Sequence, residues 1–137
     1  MKKTLVMIPI LLLFIYGNCF GANSVEMGPG FLHVTLDAST DFVWSTATIT
    51  GAQNYGKKVT LLFPGGLPLT AIKYQPPAAA AVLIVNDQTI TGPVISQMTS
   101  AAGDTLKEYF PGNRSYKPCI GSSGLTTPTG AQIWFEY

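Results

Sequence analysis

Short runs of β-branched and aromatic residues, bounded by glycine, proline and asparagine, constrain the fold of this chain more than any other feature. Such runs favour strands, because their side chains pack well on a pleated surface and the bounding residues favour turns. Helical periodicity is scarce. The pattern predicts an all-β (mainly β) fold, namely an antiparallel β-sandwich. Strands are expected over residues 31–36, 42–50, 58–63, 69–74, 80–85, 88–91 and 131–137.

The first and last of these strands alternate most clearly between apolar and polar residues. Leu32 and Val34 share one face, so His33 is expected on the side that faces water. The last strand has a strongly apolar face, made of Ala131, Ile133, Phe135 and Tyr137.

Two other segments are defined by their turn-forming residues. Asn86-Asp87 tolerates left-handed backbone geometry, which predicts a hairpin after the strand at 80–85. Residues 94–109 carry apolar side chains at roughly helical spacing, but Gly103 interrupts them. We therefore expect at most one short helix around 94–109.

The N-terminal residues have the pattern of a cleavable secretory signal peptide. Two lysines precede an apolar run over residues 5–16, which has the length of a signal core and is too short to span a bilayer. Signal peptidase requires small residues at the third and first positions before the cut, and Cys19 and Gly21 supply them if the cut lies between Gly21 and Ala22.

This pattern predicts two parts, a signal peptide at residues 1–21 and a single β-sandwich domain at residues 22–137. The domain is expected to be exported, to the periplasm, the cell surface or the medium. No later apolar run approaches the length of a transmembrane helix, so none is expected in the mature chain. A lipoprotein acylated at Cys19 is the alternative.

The charge of the chain is low. Charged residues make up 11% of it, against about 25% in an average soluble domain. Without residues 1–21, six basic residues remain against seven acidic ones, a net charge of about −1. Such a chain lacks the basic footprint of a nucleic-acid-binding protein. Its neutral, hydroxyl-rich surface suits contact with neighbours in an assembly, and it also suits an ordinary secreted domain.

Cleavage after Gly21 would remove Cys19 and leave Cys119 as the single cysteine. No internal disulfide could then form. Pro118-Cys119-Ile120 suggests a buried thiol that packs as a small apolar side chain, with an intermolecular bridge or a reactive thiol as the alternative.

The residues that could carry catalysis form no recognisable set. His33 is the single histidine, and no acid or nucleophile is spaced to work with it. Residues 51–57 resemble the start of a phosphate-binding loop, but Lys58 stands where a serine or threonine is needed and a strand is expected next. We expect no enzyme activity, no cofactor and no metal site, with a hydrolase centred on His33 as the alternative.

Two surfaces are candidates for binding. The apolar residues Ile133, Phe135 and Tyr137 make the final strand a candidate interaction strand. Trp44 and Tyr55 are candidates for stacking on sugar rings. The alternating final strand is also typical of a small outer-membrane barrel, although the glycine and proline breaks leave too little chain for one.

The sequence thus predicts a small exported β domain that acts without catalysis as a structural or protein-interaction subunit. Its partners would be other protein subunits or copies of itself. A carbohydrate-binding module is the alternative, with a glycan as its ligand.

Overall fold

The computed structural model describes residues 23–37, 40–78, 81–112, 114–122 and 130–137. Its strands are β1 (Ser24–Gly28), β2 (Phe31–Thr35), β3 (Leu67–Pro68), β4 (Ala71–Gln75), β5 (Ala81–Asp87), β6 (Val94–Ser100), β7 (Leu106–Tyr109), β8 (Ser115–Tyr116), β9 (Pro118–Cys119) and β10 (Gln132–Glu136), and its helix is α1 (Val59–Leu62). All the strand pairs in these ranges are antiparallel. The prediction of an all-β fold is confirmed.

Five strands form the larger sheet, in the order β1-β2-β10-β4-β7. Leu32 and Val34 on β2, and Ile133 and Phe135 on β10, are fully buried, while the residues between them are half-buried. Successive side chains of a strand point to opposite faces, so one face of this sheet supplies the core and the other faces solvent. The alternation read from the sequence is confirmed for both strands.

Three strands form the second sheet, in the order β6-β5-β9. β5 and β6 make the predicted hairpin, but the return strand begins at Val94 rather than at residue 88. Gln88 adopts a left-handed φ of 69°, and the Asn86 side-chain amide donates a hydrogen bond of 2.8 Å to the Gly92 carbonyl. A register shift beside Val85 places a β-bulge at this end of the hairpin.

β3 and β8 form a third, two-stranded sheet. The inner faces of the two larger sheets enclose one hydrophobic core, as in an antiparallel β-sandwich. Its largest fully buried side chains include Trp44, Tyr74, Phe42 and Phe135. The Phe42 and Phe135 rings lie 6.1 Å apart, which ties the irregular segment at 40–50 to the centre of the larger sheet. Each buried side chain of this size contributes about 1.5–3 kcal/mol of transfer free energy.

Three of the expected strands were wrong, and one of them, at 88–91, lies in the turn of the β5–β6 hairpin. Residues 42–50 form turns, with single bridges from Phe42 to Ile120 and from Thr48 to Lys58. Residues 58–63 contain α1, in which the Phe63 amide donates to the Val59 carbonyl. A strand must pair its backbone groups with a neighbour, and in the described ranges these segments find no strand to extend.

The segment 94–109, where at most one short helix was expected, contains no helix and instead forms β6 and β7. Gly103, at a φ of 81°, lies in the turn between them. The buried positions of β6 are Ser96, Met98 and Ser100. Two of these three residues are serines. The alternation of buried and exposed positions in β6 therefore does not show in the sequence as an alternation of apolar and polar residues.

The predicted signal peptide, including the cut between Gly21 and Ala22, lies outside the described residues. Within the described ranges, no helix has both the length and the hydropathy needed to cross a membrane.

We expect Leu83→Ala to lower the free energy of unfolding by about 2–5 kcal/mol, because Leu83 is fully buried and truncation leaves a cavity. The matched variant Leu61→Ala removes the same atoms from a side chain that is 73% exposed, and should change stability by less than about 0.5 kcal/mol. Denaturant titration measures both. Similar losses in the two variants would contradict this core.

Candidate interaction edge

The final strand, proposed from sequence as an interaction strand, lies inside the larger sheet. β10 pairs with β2 on one side and with β4 on the other. Ile133 and Phe135 are fully buried, and Tyr137 is half-buried with its ring 5.0 Å from that of Phe63. The prediction that Ile133, Phe135 and Tyr137 form a free interaction strand was therefore wrong, because the core and two neighbouring strands already occupy both the apolar face and the backbone.

The outer face of β10 carries Trp134, which has a close neighbour on each flanking strand. The His33 ring, on β2, stacks on the indole at 4.5 Å with an interplanar angle of 10°. The Lys73 ammonium, on β4, lies 4.5 Å from the indole centroid. Since β2 and β4 flank β10 on opposite sides, these two groups cover the two faces of the indole.

The aromatic residues proposed for sugar stacking lie in different environments. Trp44 is only 2% exposed, so it cannot stack on a ligand at the surface and its assignment was wrong. Tyr55 is 75% exposed, and its role stays a prediction. Tyr109, at 72% exposed, is a further accessible ring that the sequence did not single out, and the Lys107 ammonium lies 5.0 Å from its centroid.

A shallow depression of about 420 Å³ lies at one end of β10, lined in part by Phe31, Trp134 and Tyr137. Its charged groups are already engaged within the protein. Glu136 accepts hydrogen bonds of 2.9 and 2.7 Å from Lys107, and Lys73 lies over the indole. The depression therefore offers a ligand few free polar partners.

His33 lies on the outer face, as expected. Its Nδ1 atom is 3.7 Å from a Glu26 carboxylate oxygen, and its Nε2 atom is buried without a hydrogen-bond partner among the described residues. Its two close neighbours, Glu26 and Trp134, give it no nucleophile to activate. In the described part of the chain, no group of three or more histidine, cysteine, aspartate or glutamate side chains is arranged to hold a metal ion.

Cys119 lies in the core, fully buried, where the Trp44 backbone amide donates to its sulfur at 3.5 Å. Burial raises the pKa of the thiol, the Trp44 amide opposes that shift, and the Asp87 carboxylate adds to it. A buried thiol with a raised pKa is a poor nucleophile, because the thiolate is the reactive form. This environment agrees with the packing role read from the sequence.

Most sheet edges in the described ranges are protected against pairing with another chain. On β1, the Val25 carbonyl accepts hydrogen bonds of 2.8 and 3.1 Å from the Thr50 and Gly51 amides. The Val25 amide donates to the Thr50 hydroxyl at 2.8 Å, so the outer edge of β1 is occupied at Val25.

The next two edges are protected by length and composition. β7 has four residues and carries Lys107 and Glu108, and the Glu108 carboxylate points inward to accept a hydrogen bond from the Ser96 hydroxyl. β9 has two residues, one of them Pro118, and the adjacent Ile120 pairs with Phe42. Short length, charges, proline and covering segments are the usual protections of edge strands.

β6 differs from these edges. It has seven residues, Val-Ile-Ser-Gln-Met-Thr-Ser, with no charge and no proline, and among the described strands it pairs with β5 alone. Gln97 and Thr99 are exposed, while Ser96, Met98 and Ser100 face the core. An edge strand presents a row of unpaired amides and carbonyls. β6 is therefore the candidate interaction edge of this fold.

Comparison of the chain with protein-family models, with curated proteins and with solved structures finds no match.

We expect the free energy of unfolding to fall as the pH rises above about 8.5, where the thiol of an unfolded chain loses its proton. Folded Cys119 keeps its proton to higher pH, because burial raises its pKa. The contribution of the Cys119 thiol to the free energy of unfolding is complete below its pKa in the unfolded chain. It is lost as the pH rises through the higher pKa of the thiol in the folded protein. Denaturant titrations between about pH 7 and 9.5 measure the decline, and Cys119→Ala should flatten it.

Burial also raises the pKa of the Tyr74 and Tyr137 phenols, but unfolded tyrosine ionises near pH 10, so they contribute little in this window. An equal decline in the parent protein and in Cys119→Ala would contradict the assignment to the thiol.

Proposed function

We propose that this chain is an exported, non-catalytic structural or protein-interaction subunit of the periplasm or the cell surface, and that it joins its partner by adding a strand to β6. The observation that carries the proposal is the unprotected edge of β6, seven uncharged residues long with one neighbour among the described strands. Strand addition supplies main-chain hydrogen bonds, and the side chains on the two faces of the added strand supply specificity.

The composition supports this function. A chain with 11% charged residues has a surface with little self-repulsion. Natural β-sheet proteins normally protect a long edge, because an open one pairs with other chains. The other described edges of this fold are covered, short or charged. The open edge of β6 is therefore consistent with a strand that has a partner. Export is supported by the N-terminal lysines and the apolar run that follows them.

A carbohydrate-binding function has weaker support. Trp44 is buried, and both faces of Trp134 are covered by side chains of this protein. Sugar recognition by stacking needs an open aromatic face. Tyr55 and Tyr109 keep such faces, but they are single exposed rings on different parts of the chain, one in a loop and the other at the end of β7.

The double variant Gln97→Lys/Thr99→Lys tests the proposal. Both side chains are exposed, so we expect the variant to fold with a melting temperature within a few degrees of the parent. An added strand would lie directly beside the two ammonium groups, which lose water on pairing, so association should weaken by at least about tenfold. Light scattering after size-exclusion chromatography, with co-purification of bound partners, measures the change.

Gln75→Lys is the matched control, because Gln75 is exposed on β4, an inner strand of the other sheet. It should leave association unchanged. Two results would contradict the proposal. One is a protein that stays monomeric and partner-free at all concentrations, and the other is association that survives both lysines on β6.

A further inference from the structure

We infer that the strand that pairs with β6 is β6 of a second copy of this chain, antiparallel to the first, about a two-fold axis at Met98. This inference rests on the proposed function, since it names the partner of the same edge. The pairing joins the three-stranded sheets of two copies into one continuous six-stranded sheet.

The β-bulge determines which residues of β6 are available for regular pairing with an added strand. The register shift between Val85 and Asn86 leaves Ile95 without an opposite residue on β5, so the strand is irregular at its beginning. From Ser96 to Ser100 the pairing with β5 is regular. Met98 is the centre of these five residues, and an axis at Met98 uses all of them.

This register matches the two faces of the strand. Met98 lies opposite Met98 of the second copy, and Ser96 lies opposite Ser100, so inward-facing residues meet inward-facing residues. Gln97 lies opposite Thr99, which pairs two polar side chains on the exposed face. Cross-strand pairs of matched character stabilise a sheet, and a shift by one residue would place buried residues opposite exposed ones.

The absence of charge makes self-pairing possible. In a two-fold symmetric pair each residue meets the same surface on the partner, so any charge near the axis approaches a like charge. β6 itself contains no ionisable side chain, so no charge on the strand meets a like charge, and the Glu108 carboxylate that accepts from Ser96 belongs to β7.

Met98 supplies an apolar contact at the axis. Met98 is 7% exposed and lies at the border of the core. Its neighbours on the same face of β6 are two small residues, Ser96 and Ser100. Its flexible thioether side chain can repack against the same residue of the second copy. The two cores then become continuous beneath the new sheet.

Cysteine cross-linking tests the partner and the register together. Gln97→Cys and Thr99→Cys are made as separate variants and mixed under mild oxidation. Directly opposed side chains in a sheet have Cβ atoms about 4.5–5.5 Å apart, within small adjustments of disulfide geometry, and diagonal ones about 7–8 Å apart. The mixture should therefore give at least about fivefold more covalent dimer than either variant alone. Cys119 is fully buried and stays out of the reaction.

Each alternative result has a distinct meaning. Efficient cross-linking of Gln97→Cys alone would overturn the register, because it places the axis at residue 97. No cross-link, together with a complex containing another protein that the β6 lysines disrupt, would overturn the second copy as partner and leave the proposed function standing. A monomer without any partner would overturn both. If either cysteine variant fails to fold, sedimentation of the parent chain over a concentration series replaces cross-linking, and a monomer throughout would overturn the inference.

Discussion

The pairing of β10 with two neighbours organises this structure. The strand joins β2, from the beginning of the described chain, to β4, from its middle, and it carries Ile133 and Phe135 into the centre of the core. Its two hydrogen-bonded sides make it an inner strand, so the edges of the larger sheet fall to β1 and β7. Both of those edges are protected, one by the segment at Thr50 and the other by charge. Among the described strands, the long edge with one neighbour lies in the second sheet, at β6.

Packing in the core and the position of the edge strand also limit which side chains can react or bind. Trp44 and Cys119, which would be adhesive or reactive at the surface, are packed inside, whereas Tyr55 and Tyr109 stay exposed. His33 stacks on Trp134, which leaves its ring beside a carboxylate and an indole. The proposed recognition through the backbone of an edge strand would need none of these groups.

Short apolar runs bounded by turn-forming residues predicted the greater part of β4 and of β5, and the alternation of apolar residues predicted β2 and β10 together with the faces that they bury. It could not predict which strands are neighbours, because a period of two specifies a face and not a partner. The final strand illustrates this: its apolar face was read correctly, and its position in the sheet was not. The segments at 42–50 and 58–63 failed for the same reason, since their composition favours strands but the fold gives them no sheet to join.

The sequence did not predict β6, the candidate interaction edge, for a different reason. The inward positions of β6 hold two serines, so the strand lacks the apolar signal that identified the others, and the helical spacing of nearby residues suggested another structure. β1 was missed as well, because its pairing with β2 depends on the turn at Gly28 to Gly30.

Hydrogen–deuterium exchange of the backbone amides tests the central claim most directly. In dilute protein, the amides of β10 should be among the slowest to exchange, because both neighbours hold them, while alternate amides of β6 should exchange rapidly on its open side and become protected as the concentration rises. Rapid exchange throughout β10, or full protection of β6 in the dilute monomer, would contradict this account of the fold and of its interaction edge.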